Sequence, residues 1–238
     1  MRDSCDRSRP GSSSFSNLQK RAMAFALSHF HGRYERLVAD RKRALFADLR
    51  GTVVEIGPGT GANFPFFPPG IRWIGIEPNP YMHPHLARAA EPTDLSIEIR
   101  RGTAERIGAD DDSADAVVST LVLCSVTDIA AVLDEIWRIL KPGGRFCFIE
   151  HVADLPGSSG RLLQRMLRPI IRNLADGCHL DRETWRAIEE HGFTGVAYQH
   201  FRLPVPIISP HIAGVATKAP REGHVVIPSS ALCSPGLA

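Results

Sequence analysis

Three glycines, Gly57, Gly59 and Gly61, follow the apolar run Thr52–Ile56. Such a turn bends sharply and lets a ligand approach the main chain. The next apolar run, Arg72–Ile76, ends at Glu77. A carboxylate there accepts hydrogen bonds from both hydroxyls of a ribose. The spacing Gly57-x-Gly59-x-x-Ala62 also fits a dinucleotide fingerprint, but three features oppose a pyrophosphate. Pro65, Pro68 and Pro69 leave only a short helix, residues 62–67, whereas a pyrophosphate draws on the dipole and N–H groups of a full one. Glu55, just before the first glycine, repels a pyrophosphate at short range and suits a ligand carrying a sulfonium and an ammonium. Gly102-Thr103-Ala104-Glu105 follows the third strand, where an acid or amide reaches the exocyclic amine of adenine. These features imply S-adenosyl-L-methionine (SAM) as the ligand.

The chemistry implied is in-line methyl transfer. The sulfonium leaves readily, so a protein mainly aligns the reactants and excludes water. A base is needed only where the nucleophile must lose a proton, and a thiol with a pKa of ~8.5 loses it easily. Glu150 and His151 end the fifth strand, where ligands bind in open α/β sheets, and His151 titrates near neutral pH. The alternative is structural: Glu150 bonding a backbone amide, His151 packed in a turn. Asp176, Cys178 and His179 form a second cluster, read as a structural turn or as a substrate-facing loop. A Cys178–His179 nucleophile pair is not expected, since adjacent side chains rarely face each other. Asp181 reads as a helix N-cap. The five cysteines are widely spaced with no CxxC, so no metal is expected.

The elements that must carry these groups alternate. Strands are expected at 52–56, 72–76, 95–100, 114–121 and 145–149, with helices at 80–90 and 128–140. Lys141-Pro142-Gly143-Gly144 stops the second helix. Repeated β-α-β gives a doubly wound, mostly parallel sheet. Beyond it come helices at 160–174 and 182–191, then a closing hairpin from strands at 194–203 and 212–218. Residues 1–16 read as a disordered tail and 17–50 as two packing or lid helices, at 18–30 and 34–49. Residues 51–218 form the ligand-binding domain, and 219–238 a loose tail. Phe15, Phe25, Phe30, Met166 and Leu167 line an apolar cavity or belong to the core.

The balance of 28 basic and 26 acidic residues, net +2, gives no reason to expect nucleic acid. The polar N-terminus lacks an apolar leader, and no apolar run nears the ~20 residues that span a bilayer. With an odd cysteine count this suggests a cytoplasmic protein, touching a membrane at most peripherally.

The stretches "VVEIGPGTG", "IGIEPNP", "GTAERI" and "LKPGGRFCFIEH" resemble the class I methyltransferases. That resemblance implies a seven-stranded sheet with an antiparallel last strand, which accounts for the hairpin. "EIGPGTGANFPFFPPG", "STLVLCSV", "DGCHLDRETW" and "PHIAGVATK" are similar to the methyltransferase-like seven family, whose animal members include alkyl thiol methyltransferases. The resemblance covers about residues 34–218. It implies cofactor contacts at Glu55, Gly57, Gly59, Gly61, Asn63, Glu77, Asn79, Ala104 and Glu105, and backbone contacts near Leu121. It implies a small, lipophilic acceptor. Two departures are visible: the animal members carry an N-terminal hydrophobic membrane segment without a counterpart here, and they show Asp where this chain has Glu77. Two other classes stay open. One is an NAD(P)-dependent oxidoreductase, although none of the three tyrosines has a Lys four residues on. The other is a SAM-binding regulatory module without turnover.

Overall fold

The computed structural model describes residue 21 and residues 32–174, 177–205 and 207–221. The expected helix at 18–30 lies outside the described residues apart from Arg21, and so do the tail at 1–16 and all but the first three residues of 219–238.

Helix α1 (Gly32–Phe46) leads into strand β1 (Thr52–Ile56). The glycine turn then yields only one 3-10 turn (Phe64–Phe66), with Pro65 in its first positions. Strand β2 (Arg72–Ile76), helix α2 (His83–Ala90), β3 (Ser96–Arg100), β4 (Ala114–Thr120), α3 (Ile129–Ile139) and β5 (Leu140–His151) follow. Helices α4 (Ser159–Leu174) and α5 (Thr184–Glu190) precede β6 (Gly195–Arg202) and β7 (Pro210–Thr217).

The seven strands lie in the order β3-β2-β1-β4-β5-β7-β6. All neighbouring pairs are parallel except those of β7, which is antiparallel to β5 and to β6. The order reverses at β1, which pairs with β2 on one side and β4 on the other. In open sheets that reversal opens a crevice at the carboxyl ends of the strands.

Side chains alternate between two apolar layers, as a pleated strand requires. Val53, Trp73, Val118 and Cys147 pack with Phe46, Phe64 and Leu86 on one face. Val54, Ile74, Val117, Phe146 and Phe148 pack with Val132, Leu133 and Ile136 of α3 on the other. Both faces are covered, so the central strands read as continuous apolar runs.

Four expectations need correction. The fifth strand starts at Leu140, not residue 145. Ala114 pairs with Leu140 and Ala116 with Arg145, so Lys141–Gly144 bulges from the ladder without ending it. The helix expected at 128–140 loses both end residues: Asp128 caps it, its Oδ1 accepting from Ala130 N and Ala131 N, and Leu140 is already strand. Asp181 caps nothing: Glu183 stands at the start of α5 without a side-chain cap bond, while Asp181 accepts from Arg168 Nη1 at 3.3 Å. Met166 is 66% exposed beside Leu162, Leu163 and Ile170 on the outer face of α4, so among the described residues it lines no cavity. Leu167 packs against Cys124, Cys178 and Leu180.

Candidate active site

The glycine turn holds its shape by left-handed backbone. Gly57, Gly59 and Gly61 have φ of 57°, 57° and 85°, which a side chain resists. A Cβ at Gly57 would meet Val122 Cγ2 at 2.7 Å, and one at Gly61 the Phe64 ring at 2.7 Å. A Cβ at Gly59 would meet nothing within 4 Å, so Gly59 borders open space.

Glu77 turns back toward this turn. Gly59 N–H donates to Glu77 Oε2 at 3.0 Å and Asn79 N–H to Oε1 at 2.8 Å. Asn79 in turn accepts from Tyr81 N–H at 3.1 Å. Both residues are buried. The carboxylate thus sits at the carboxyl end of β2, held by the main-chain N–H groups of Gly59 and Asn79.

Glu55 lies beneath the turn, 2% exposed. Its Oε1 accepts from Asn63 Nδ2 at 2.7 Å and its Oε2 from Trp73 Nε1 at 2.9 Å. Asn63 Nδ2 also donates to Thr120 Oγ1 at 3.1 Å. Asn63 Oδ1 is buried without a partner. A buried orphan acceptor is costly and fits a ligand that brings a donor, such as an ammonium. Burial pushes the Glu55 carboxyl up to about 7, against the two donors, which favour its ionised form.

Across the reversal, β4 ends at Thr120 and Leu121 takes φ 58°. Glu150, fully buried at the end of β5, braces this turn: it accepts from Ser119 Oγ, from Val122 N–H at 3.2 Å and from Leu123 N–H at 3.1 Å. Burial raises the Glu150 carboxyl to about 8, against those donors. Arg182 closes the same loop by donating to the carbonyls of Leu123 and Val126.

Beside Glu150 lies a cluster of buried polar groups. His151 Nε2 is 3.1 Å from Cys178 Sγ, and Cys124 Sγ completes a trio of atoms all within 4.8 Å of one another. His151 opposes His211 in the β5–β7 ladder, with ring centroids 6.4 Å apart. The Tyr34 ring lies 5.7 Å from that of His211. Tyr34 Oη, His151 Nδ1 and His211 Nε2 are all buried without partners. Burial holds His211 near 4, hence neutral. Burial, and then the nearby Glu150 charge, keep Tyr34 protonated.

Comparison with known proteins identifies the family of the chain. The methyltransferase domain family model matches residues 54–148. Over 213 residues the chain is 38% identical to thiol S-methyltransferase TMT1A of Homo sapiens, covering 84% of this chain and 87% of that one. It is 43% identical over 194 residues to thiol S-methyltransferase TMT1B of Rattus norvegicus, covering 75% and 78%. The chain belongs to the methyltransferase-like seven family. It is a SAM-dependent methyltransferase of class I. The fold extends to YcgJ of Bacillus subtilis, TM-score 0.60 at 18% identity, covering 76% of this chain and 97% of that one.

Within this family fold, the residues singled out in the sequence fall into three groups. Gly57, Gly59, Gly61, Asn63, Glu77 and Asn79 gather at one crevice. Glu55 reaches it through Asn63, because both of its oxygens are engaged beneath the turn. Ala104 is buried, and Glu105 spans from the β3 loop to accept from Thr127 N–H at 3.0 Å. Glu150 and His151 lie at the neighbouring end, where His151 meets Cys178. His179 faces the same loop through its main chain, donating to Cys124 O at 2.7 Å. Asp176 lies outside the described residues.

Cys124, Tyr34 and His211 were not singled out. Cys124 sits in "LVLCSV" and His211 in "PHIAGVATK", two of the stretches that carry the family resemblance, and that was the available signal. Cys124 reads as a small buried hydrophobe when taken alone.

Glu55 gives a pH-dependent stability. A carboxyl whose value rises on folding holds its proton more tightly in the folded chain. Its contribution is full below the ordinary value of 4.5 and is lost as pH rises through about 7. That loss is on the order of 3 kcal/mol. The thermal midpoint should therefore fall between about pH 5 and about pH 8, and more gently in Glu55→Gln. An identical slope in the variant would mean that the two donors keep Glu55 ionised throughout.

Proposed function

We propose that the crevice binds SAM with Glu77 accepting from the ribose hydroxyls, and that the enzyme methylates a small, apolar thiol. The orientation of the Glu77 carboxylate, clamped toward Gly59 beside open space, carries this reading. When bound, SAM supplies a methyl group on a positively charged sulfur. Asn63 Oδ1, held in place by Glu55, accepts from the ammonium of its methionine part. Ala104 and Glu105 flank the adenine, and the main chain at Leu121 passes the methionine end.

The acceptor lies at the carboxyl ends of β4 and β5. Glu150 is a positioning residue there: it fixes the loop after β4 and so the line between acceptor sulfur and methyl. His151 lines the acceptor side with its unpartnered Nδ1. A thiol gives up its proton near neutral pH, so orientation and water exclusion supply most of the rate. The relatives at 38% and 43% identity are thiol S-methyltransferases by name, which supports a thiol over a hydroxyl or amine. The described cysteines, Cys124, Cys147 and Cys178, are free thiols, which supports a reducing, cytoplasmic setting. Among the described residues no helix is long and apolar enough to cross a membrane.

A screen with methyl-labelled SAM and a panel of alkyl thiols, phenols and amines tests the proposal. Label is expected in thioethers of the apolar thiols. Label confined to phenols or amines would overturn the thiol assignment, and silence across the panel would overturn turnover.

A further inference from the structure

Two cysteines and a histidine from three separate segments converge beside the proposed acceptor position. Cys124 comes from the loop after β4, His151 from the last position of β5, and Cys178 from the loop between α4 and α5. All three are buried, at 3%, 3% and 7% exposure. Their donor atoms, Sγ, Nε2 and Sγ, lie within 4.8 Å of one another. Neighbours of a tetrahedral zinc, at Zn–S of about 2.3 Å and Zn–N of about 2.0 Å, stand about 3.5–3.8 Å apart. The His151–Cys178 separation of 3.1 Å needs only a slight opening to admit an ion.

The carriers are tied to one another. Cys124 and Cys178 are stitched together by the bond from His179 N–H to Cys124 O. The Cys124 loop is braced from below by Glu150 and from the side by Arg182. Gly177, at φ 81°, makes the turn that delivers Cys178. Outside the trio, the partners of Cys124 are weak ones. Cys124 Sγ has Leu121 O at 3.7 Å and Ser125 Oγ at 3.5 Å, contacts that a metal–sulfur bond easily displaces. His151 Nδ1 has no acceptor of its own, so a water must serve as its outer partner.

We propose that Cys124, His151 and Cys178 form a zinc site with a fourth position left for the acceptor sulfur. Two thiolates and a histidine are a soft donor set that favours zinc over magnesium or calcium. Three protein ligands with one open position are the pattern of catalytic zinc. The two thiolates neutralise the ion, and Arg182 offsets the charge of a bound acceptor thiolate. The acceptor thiol gives its proton to solvent on binding. Its sulfur lone pair then forms the new bond to the methyl carbon, and the electron pair of the broken bond stays on the departing sulfur. His151 is then a ligand, and no protein base is required. This role rests on the thiol reading above; the metal site itself does not.

The full chain, with Cys5 and Cys233 replaced by Ser to silence other thiols, is loaded with Zn2+ or Co2+ and dialysed. Zinc analysis should find one ion per chain, and Co2+ should give a thiolate-to-metal charge-transfer absorption that Zn2+ abolishes. Cys178→Ser and His151→Ala should each weaken Zn2+ binding at least ~100-fold, while Cys147→Ala should not. Should Cys124→Ser fail to fold, Cys178→Ser, on a loop, still decides. The proposal fails if the folded parent retains no zinc, if Cys178→Ser binds as tightly as the parent, or if intact mass shows a Cys124–Cys178 disulfide in place of metal uptake. These readouts need neither cofactor nor acceptor. Zinc bound without methyl transfer would therefore count against the proposed function alone. Full methyl transfer by a metal-free chain would remove zinc from the reaction.

Discussion

Glu77→Gln is expected to weaken binding of the demethylated cofactor product at least ~100-fold by calorimetry. A hydrogen bond to a charged acceptor contributes about 1.5–3 kcal/mol, and the proposed contact makes two, one to each ribose hydroxyl. Each 1.4 kcal/mol is about tenfold in affinity, so losing the charge costs about two decades. The variant still folds, because the amide oxygen keeps one of the two main-chain donors, Gly59 N–H or Asn79 N–H. Glu77→Ala frees both donors and should also lower stability. Glu77→Asp preserves the charge at shorter reach and should bind within about tenfold of the parent. Equal affinity in Glu77→Gln and the parent would separate this carboxylate from the ribose and sink the cofactor pose.

Glu150→Ala should show the largest stability loss, on the order of 4 kcal/mol, because it strands Ser119 Oγ–H, Val122 N–H and Leu123 N–H at once. An unsatisfied buried donor costs about 1–3 kcal/mol. In a chain of this size that lowers the thermal midpoint by roughly 8–16 °C. Two effects compete at this residue. Burial makes the charge unfavourable, and even with the three donors opposing it the carboxyl is raised to about 8. The three donors bond the carboxyl oxygens with or without the proton, and the loss of those oxygens is what Glu150→Ala reads. Glu150→Gln keeps part of the bracing and should lose about half as much. Scanning calorimetry across the two variants and the parent is the measurement. A midpoint that rises in Glu150→Ala would make the carboxylate a liability and not a brace, as happens when a buried charge is replaced by apolar volume. The same variants should lower kcat more than they raise KM if, as proposed, the loop after β4 aligns the reactants.

Much of this could be read before any coordinates. β1 and β2 match their sequence runs to the residue, because central strands are apolar on both faces and the turns around them carry Gly and Pro. Glu77 was legible from its place at the end of the second run, which is local information. The glycine turn with only a stub behind it was legible from its prolines. β5 was not: Lys141-Pro142-Gly143-Gly144 reads as a stop, and only pairing with β4 shows a bulge inside a strand of 12 residues. Asp181 had cap chemistry without cap geometry, since Arg168 competes for it. The Cys124, His151 and Cys178 trio was illegible in principle from spacing. Its members come from one strand end and two separate loops, and no local pattern relates them.

The placement of β7 has a bearing on how the chain is made. Among the described strands it is the last to leave the ribosome, yet it must slide in between β5 and β6. Until it arrives, residues 145–151 present bare main-chain edge to every other nascent chain nearby. The two buried phenylalanines of that strand ride on the same exposed ribbon. A premature stop ahead of Pro210 should therefore yield not a shortened catalyst but a sticky half-sheet, held by chaperones or lost to precipitation.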